Sequence, residues 1–152
     1  MSVLLGDGTG VFAAKVDDVS GTGFDMAVGD FNADGKPDLA VASSNAVSVL
    51  LNNGNGTFAA KVDYALAGVS FGIAVGDFNA DGKPDLAAVA NSNTVGVLLS
   101  TGNGTFAAKV DYTINKTSYG LAVGDFNVDG KPDLAVTSID TNTVSILLNG
   151  CK

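Results

Sequence analysis

Apolar and polar residues alternate along several short segments of this chain, and the alternation predicts β-strands. The clearest cases are Val47–Leu51, Val95–Leu99, Val144–Leu148, Phe58–Tyr64 and Phe106–Tyr112. A period of two bounded by Gly and Asn clusters is typical of half-buried strands. No part of the chain has a sustained helical period, so the pattern predicts an all-β protein.

Two further segments are almost continuously apolar. Gly72–Gly76 predicts a strand buried on both faces, and Leu86–Val89 predicts a second strand after an Asp-rich loop. The alternating strands that follow are joined by Asn52–Thr57 or Ser100–Thr105, whose Gly and Asn residues accept positive φ in tight hairpin turns. Each unit therefore contains four antiparallel strands, which we label a to d.

The same unit is repeated along the chain. The segment Ala-Val-Gly-Asp-Phe-Asn-x-Asp-Gly-Lys-Pro-Asp-Leu-Ala begins at Ala27, Ala74 and Ala122, so the period is 47 and then 48 residues. A fixed period of this size indicates a repeat architecture. Four-stranded antiparallel units with an apolar innermost strand are typical of the blades of a β-propeller.

The strand order divides residues 1–152, a single repeat domain, into blades. We expect strands c and d of a split blade in 1–18, full blades in 19–64 and 65–112, and strands a, b and c of an incomplete blade in 113–152. Three blades cannot close a ring, because known propellers have four to eight. We therefore expect another chain to complete the ring, either in a homodimer with six blades or in a head-to-tail filament built by strand exchange.

Each repeat carries a candidate metal loop of nine residues. Positions 1, 3, 5 and 9 have oxygen side chains, position 6 is the Gly needed for a sharp bend, and position 7 is a Lys that can offer its backbone carbonyl. The candidate ligands are Asp30, Asn32, Asp34, Lys36 and Asp38; Asp77, Asn79, Asp81, Lys83 and Asp85; and Asp125, Asn127, Asp129, Lys131 and Asp133.

Oxygen ligands without His or Cys favour Ca²⁺ over transition metals, and Mg²⁺ prefers to keep its waters, so we predict three Ca²⁺ sites per chain. An EF-hand would have Glu at position 12, whereas this chain has Val41, Ala88 or Val136 there, in a predicted strand. The alternative is an Asx-rich turn without an ion.

Composition narrows the range of functions. The net charge is −8, all sixteen acidic residues are Asp, and the chain lacks His, Glu, Arg and Trp. The acidity argues against nucleic acid and against anionic membrane surfaces as partners. No nucleophile has a candidate base beside it, so we predict no enzymatic activity. The N-terminal residues do not resemble a signal peptide.

The Asp loops, preceded by Phe71-Gly72 or Tyr119-Gly120, resemble the FG-GAP/VCBS repeat, a family that includes the integrin α-subunit propeller and many bacterial surface and secreted proteins. The resemblance covers nearly the whole chain, and it implies calcium at the Asp loops, an extracellular or cell-surface location, and adhesion or protein interaction. The first repeat departs from the pattern at Phe24-Asp25-Met26, so we expect its strand to pack differently.

The main alternative function is that of a carbohydrate-binding propeller lectin. Sugar sites usually contain an aromatic platform, and Tyr64, Tyr112 and Tyr119 are the candidates, although each could instead cap the end of a blade. The loops that join strands d–a and b–c vary between repeats, whereas the metal loops and c–d turns do not. Because function concentrates in loops on a rigid scaffold, a ligand of either kind is expected at the variable loops.

Overall fold

The computed structural model describes residues 2–17, 23–91, 93–114 and 117–150, and these residues form an all-β protein of thirteen short strands. The prediction of four-stranded antiparallel blades is confirmed. Among the described residues no helix is long and apolar enough to cross a membrane.

The strands form four consecutive sheets. The N-terminal hairpin is β1 (Ser2–Val3) and β2 (Val16–Asp17). Blade 1 contains β3 (Gly23–Gly29), β4 (Asp38–Ser43), β5 (Ala46–Leu50) and β6 (Val62–Ala65). Blade 2 contains β7 (Ser70–Gly76), β8 (Asp85–Ala90), β9 (Thr94–Leu98) and β10 (Val110–Thr113). Blade 3 contains β11 (Ser118–Gly124), β12 (Asp133–Ser138) and β13 (Thr143–Leu147).

Each blade is a simple antiparallel meander in chain order. The registers match between blades: β4 faces β5 with Ala40 opposite Val49, and β8 faces β9 with Ala87 opposite Val97. The first strand of blade 2, β7, lies between β3 and β11. The three blades therefore sit side by side around a common axis, with their first strands innermost.

The hydrophobic core lies between the blades. One cluster joins blades 1 and 2 and includes Phe31, Val49, Leu86 and Phe106, while a second joins blades 2 and 3 and includes Val89 and Leu134 among others. Small residues such as Ala40, Ala42 and Ala88 bring the sheets close together. Each blade thus buries its apolar side chains only when a neighbouring blade covers them.

Burial differs from the sequence expectation in two respects. The first strand of blade 1, β3, is mostly exposed and that of the central blade, β7, is only partly buried, whereas the second strand of the central blade, β8, is fully buried. The third strands β5 and β9 are buried on both faces although their sequences alternate. Ser48 shows the reason, since its buried hydroxyl donates a hydrogen bond to Asp63 at 2.6 Å.

The fourth strands are shorter than their alternation predicts. Regular pairing of β6 begins at Val62, and Phe58 contributes only an isolated bridge to Asn52. The turn between them has a positive φ at Gly54 and Gly56. The residues between the Asn52–Phe58 bridge and β6 therefore lie outside the regular ladder, so the Phe at the base of such a turn can pack on another blade.

Phe106, at the base of the c–d turn of blade 2, joins blade 2 to blade 1. Its ring meets the rings of Phe31 and Tyr64 at centroid distances of 5.5 and 5.4 Å, both edge to face. Its backbone N–H donates to the Tyr64 hydroxyl at 3.0 Å, and the N–H of Gly104 donates to the Phe31 carbonyl at 2.8 Å. Phe106 thus fills an aromatic pocket on the preceding blade.

The equivalent position between blades 2 and 3 is an open cleft of about 500 Å³. Phe78 and Tyr112 line it, as Phe31 and Tyr64 line the filled pocket, and Leu147 and Leu148 form its opposite wall. The side-chain amide of Asn149 donates to the Phe78 carbonyl at 2.8 Å. This bond corresponds to the one that the Gly104 N–H donates to the Phe31 carbonyl in the interface between blades 1 and 2.

The departure of the first repeat is also visible in the packing. Asp25 stands where the other repeats have Gly72 and Gly120, and its carboxylate accepts the backbone N–H of Ile73 in blade 2 at 3.1 Å. A Cβ on Gly72 would lie 2.9 Å from the carbonyl oxygen of Tyr119 in blade 3. At this level the backbones of blades 2 and 3 lie in close contact, whereas the Asp25 side chain joins blades 1 and 2.

The Tyr64 hydroxyl should contribute measurably to stability. We expect Tyr64→Phe to lower the free energy of unfolding by about 1 kcal/mol, because the buried N–H of Phe106 loses its acceptor. Tyr112→Phe, at the equivalent but half-exposed position, is the control and should change stability less. Urea denaturation of both variants tests this, and equal losses would contradict the assigned role.

Candidate metal centre

The backbone of each Asp-rich loop is turned by two residues with positive φ. In blade 1 these are Ala33 at 59° and Gly35 at 79°, at loop positions 4 and 6. The other loops repeat the geometry, with Ala80 and Gly82 in blade 2 and Val128 and Gly130 in blade 3. Positive φ is unfavourable for a β-branched residue such as Val128, so the loop retains this conformation against a local cost.

Backbone N–H groups orient the first carboxylates of the loop. Asp30 accepts from the N–H of Asp34 at 3.0 Å and of Gly35 at 2.8 Å, and the Asn32 side-chain oxygen accepts from Asp34 at 3.1 Å. These bonds turn the oxygens of positions 1 and 3 inward. The same bonds recur at Asp77 and Asp125.

Position 5 is paired with the Lys at position 7. Asp34 accepts the backbone N–H of Lys36 at 3.0 Å and its ammonium at 2.8 Å, and the corresponding ammonium contact of Lys83 with Asp81 is 2.9 Å. The hydrogen bond from the lysine is the main reason that the pKa values of Asp34 and Asp81 lie below the usual range. The backbone N–H of Gly130 does the same for the pKa of Asp125.

The Asp at position 9 has a different environment, because it is fully buried. Asp38 is 0% exposed; one oxygen accepts the N–H of Phe31 at 2.9 Å and the other accepts the N–H of Asn52 at 2.7 Å. It therefore ties the start of the loop to the end of the third strand. Asp85 and Asp133 make the same two bonds in their blades.

Burial has an electrostatic effect at the central blade. Desolvation raises the pKa of Asp85, and the nearby carboxylates of Asp81 and Asp77 contribute in the same direction. A charged group in such a place is stabilised by a nearby cation. Sequence reasoning assigned position 9 a ligand role alone, and the bridging bonds it makes were not visible in the repeat pattern.

The donor set of each loop fits a hard cation by its chemistry. It consists of carboxylates, one amide and one backbone carbonyl within nine residues, all oxygen ligands. In the parts of the chain that the structure describes, however, no three acidic, His or Cys side chains are grouped closely enough to hold a metal ion by themselves. The amide and carbonyl ligands would therefore have to contribute, and Asp34 would have to exchange its lysine partner for the ion.

The opposite end of the blades carries a row of aromatic rings. Phe24, Phe71 and Tyr119 occupy equivalent positions near the start of each first strand; the Phe24 and Phe71 centroids are 5.2 Å apart, and those of Phe71 and Tyr119 are 4.5 Å apart. Phe24 and Tyr119 are exposed. Each of these residues directly follows or nearly follows a variable d–a loop in the sequence, and the N–H of Leu66 in one such loop bonds to the carbonyl of Asn45 in a b–c loop.

The predicted sugar-platform tyrosines have separate environments. Tyr64 is engaged with Phe106, Tyr112 lines the open cleft, and Tyr119 belongs to the aromatic row. Of the variable loops, residues 18–22, 92 and 115–116 lie outside the described part of the chain.

The chain matches the model of the FG-GAP-like repeat over residues 30–88 and 77–136. A solved structure of an Agrocybe aegerita lectin, which specifically recognises non-reducing terminal N-acetylglucosamine, is similar to the chain with a TM-score of 0.58 and 21% sequence identity. The similarity covers 97% of this chain and 46% of the lectin, so the chain spans about half of the lectin's length. No curated protein sequence matches the chain.

The buried Asp at position 9 should stabilise each blade even without metal. We expect Asp38→Asn to lower the free energy of unfolding in EDTA by about 1–3 kcal/mol, because an amide offers only one acceptor and leaves one buried N–H unsatisfied. The matched control is Asp34→Asn, which changes an exposed carboxylate of the same loop and should leave unfolding in EDTA nearly unchanged. Equal behaviour of the two variants would contradict the bridging role of Asp38.

Proposed function

The chain belongs to the FG-GAP-like repeat family, and we propose that it is a calcium-stabilised, non-enzymatic β-propeller module that binds other molecules outside the cell. The observation that carries the proposal is the threefold repetition of one loop. All three loops share their oxygen donors, two positive φ angles and a buried Asp that joins the loop to the third strand.

Calcium would act on the scaffold in this proposal. Asp30, Asn32, Asp34, the Lys36 carbonyl and Asp38 would hold the ion in blade 1, and their counterparts would do so in blades 2 and 3. A bound Ca²⁺ neutralises carboxylates that otherwise repel one another, and three ions bring the chain from −8 to −2. Each ion would also fix the loop that positions the c–d turn and its Phe.

An extracellular location agrees with this chemistry. Loops of this kind in extracellular modules bind Ca²⁺ with dissociation constants of about 10⁻⁴ to 10⁻³ M, which suits the millimolar calcium found outside cells. At cytosolic calcium concentrations such sites would remain largely unloaded. The proposed task is adhesion or protein interaction, with the ligand at the face that carries the variable loops.

Copies of the chain would associate by exchanging strands. Blade 3 presents the exposed residues Val144 and Ile146 on β13, and within the described residues no strand pairs with the outer edge of β13. An exposed apolar edge is a template for another strand. Head-to-tail contacts of this type would form either the six-bladed homodimer or the filament.

A second candidate function, carbohydrate binding, is favoured by the aromatic row. Phe24 and Tyr119 offer exposed rings on either side of Phe71, and the apolar C–H face of a sugar packs well on such rings. The similarity to the Agrocybe aegerita lectin agrees with this candidate through its fold alone.

Calcium should raise thermal stability strongly. At a dissociation constant of about 10⁻⁴ M and about 1 mM Ca²⁺, each site adds roughly 1.4 kcal/mol, and three sites add about 4 kcal/mol. For a chain of this length we expect the melting temperature to rise by about 8–16 °C between EDTA and 1 mM Ca²⁺. Differential scanning calorimetry measures the shift.

The control for calcium is a triple variant at position 5 of the loops. Asp34→Ala, Asp81→Ala and Asp129→Ala together remove one oxygen ligand from each loop, so they should abolish most of the calcium-dependent shift while changing the melting temperature in EDTA much less. A wild-type melting curve that is the same in EDTA and in calcium would remove the basis of the proposal.

Carbohydrate binding is tested separately on a glycan array in 1 mM Ca²⁺. If the aromatic row is the platform, Tyr119→Ala should abolish selective binding, because it removes an exposed ring and little of the core. Tyr112→Ala, which removes an exposed tyrosine away from the row, is the control. An array without selective binding, or binding that survives Tyr119→Ala, rejects this candidate.

A further inference from the structure

Phe106 fills the pocket of Phe31 and Tyr64, and both partners of that contact have an unused counterpart in the chain. The cleft lined by Phe78 and Tyr112 is the counterpart of the pocket, and the exposed ring of Phe12 is the counterpart of Phe106. In the filled pocket, Phe106 is 8% exposed between Phe31 and Tyr64, whereas Phe12 is 62% exposed at the equivalent place in the N-terminal hairpin. The cleft has the same aromatic walls as the filled pocket. The contact can therefore be described in detail from its intramolecular counterpart.

The turn that carries Phe12 has the conformation of the turn that carries Phe106. Gly8 and Gly10 have φ of 84° and 92°, and Gly102 and Gly104 have 83° and 82°. The N–H of Ala13 donates to the Leu5 carbonyl at 2.8 Å, as that of Ala107 does to Leu99. Phe12 is thus held, before any contact is made, in the geometry that fills the other pocket.

The strand that follows Phe12 also has a matched acceptor. In blade 1, Ser48 of the third strand faces Asp63 of the fourth and donates to it at 2.6 Å. In the N-terminal hairpin, Ser2 faces Asp17 and makes the same 2.6 Å bond. By repeat position, Ser145 of β13 corresponds to Ser48, so β13 offers Asp17 the same partner.

We propose that the cleft lined by Phe78 and Tyr112 receives Phe12 from a second copy of this chain, whose β2 transfers from its own β1 to the outer edge of β13. The transfer exchanges equivalent interactions: Ser145 replaces Ser2 as the donor to Asp17, and the short β1–β2 ladder of two residue pairs is replaced by pairing along β13. The gain comes from burying Phe12 and covering Val144 and Ile146.

The proposal gives the polar groups of the cleft defined partners. By analogy with Phe106, the N–H of Phe12 would donate to the Tyr112 hydroxyl, and the N–H of Gly10 would replace the Asn149 amide at the Phe78 carbonyl. The transfer leaves β1, the additional third strand of the chain, without its β2 partner. Two such contacts related by a twofold axis close six blades, and the same contact repeated in one direction makes a filament.

This inference deepens the association suggested under the proposed function, and light scattering of the 152-residue chain in 1 mM Ca²⁺ tests it. We expect a mass near 30 kDa, twice the 15.1 kDa of one chain. Phe12→Ala should weaken association by about 30-fold or more, as expected for a buried aromatic hot spot. Val11→Ala, an equally exposed change in the same turn, is the matched control and should leave the mass unchanged.

Each outcome decides between the alternatives. A larger assembly that Phe12→Ala disperses supports the contact in its filament form. A monomer at all concentrations, or an assembly that Phe12→Ala leaves intact, overturns the proposal. A calcium-dependent melting shift in a monomeric wild-type protein would reject this contact while leaving the calcium proposal in place.

The register is tested by cross-linking in a Cys151→Ser background. Chains with Asp17→Cys are mixed with chains carrying Ser145→Cys, and mild oxidation should give a disulfide-linked pair on a non-reducing gel. Thr137→Cys, exposed on the neighbouring strand β12, replaces Ser145→Cys in the control mixture and should give little cross-linking. Equal cross-linking in the two mixtures would overturn the proposed pairing of β2 with β13.

Discussion

The buried carboxylate at position 9 of each loop is the interaction on which the blade geometry depends. Its two oxygens accept N–H groups from two separate parts of the blade, the start of the Asp loop and the residue just after the third strand. Through these bonds the loop and the c–d turn are fixed relative to each other. The Lys36 side chain also lies against the turn, since a Cβ on Gly54 would come within 2.9 Å of its Cε.

The packing between blades follows from that arrangement. With loop and turn fixed together, each blade presents a pocket on one side and a Phe on the other, as Phe31 with Tyr64 and Phe106 show. The core is consequently distributed over the interfaces rather than enclosed within any one sheet. Stability in such an architecture is a sum of local terms and nearest-neighbour contacts, which is typical of repeat proteins.

The repeat pattern was sufficient to predict the fold class, the four strands per blade and the family. These features depend on local alternation and on a period that can be read directly from the residues. Burial was harder to predict, because whether β3 or β8 is covered depends on which blades flank it. The roles of Asp38 as a bridge and of Asp25 as a tie to Ile73 were also missed, since both depend on backbone groups that the sequence does not identify. The assignment of calcium to the loops stays a prediction.

The near identity of the c–d turns has a consequence for how the chain folds. The Asn52–Phe58 and Ser100–Phe106 segments present the same Phe on almost the same turn, so the pocket of Phe31 and Tyr64 has little chemical means of telling them apart. The Phe58 turn is held in the blade that forms the pocket, because Asn52 pairs with Phe58 and its N–H bonds to Asp38, so within one chain the turn of the next blade fills the pocket. A turn of the same chain has the advantage that it reaches the pocket by closing a loop rather than by meeting another molecule. At high protein concentration that advantage shrinks, and turns from other molecules compete for the same pockets. The yield of correctly refolded protein should therefore increase on dilution, because misassembly between similar repeats of different chains is then less frequent.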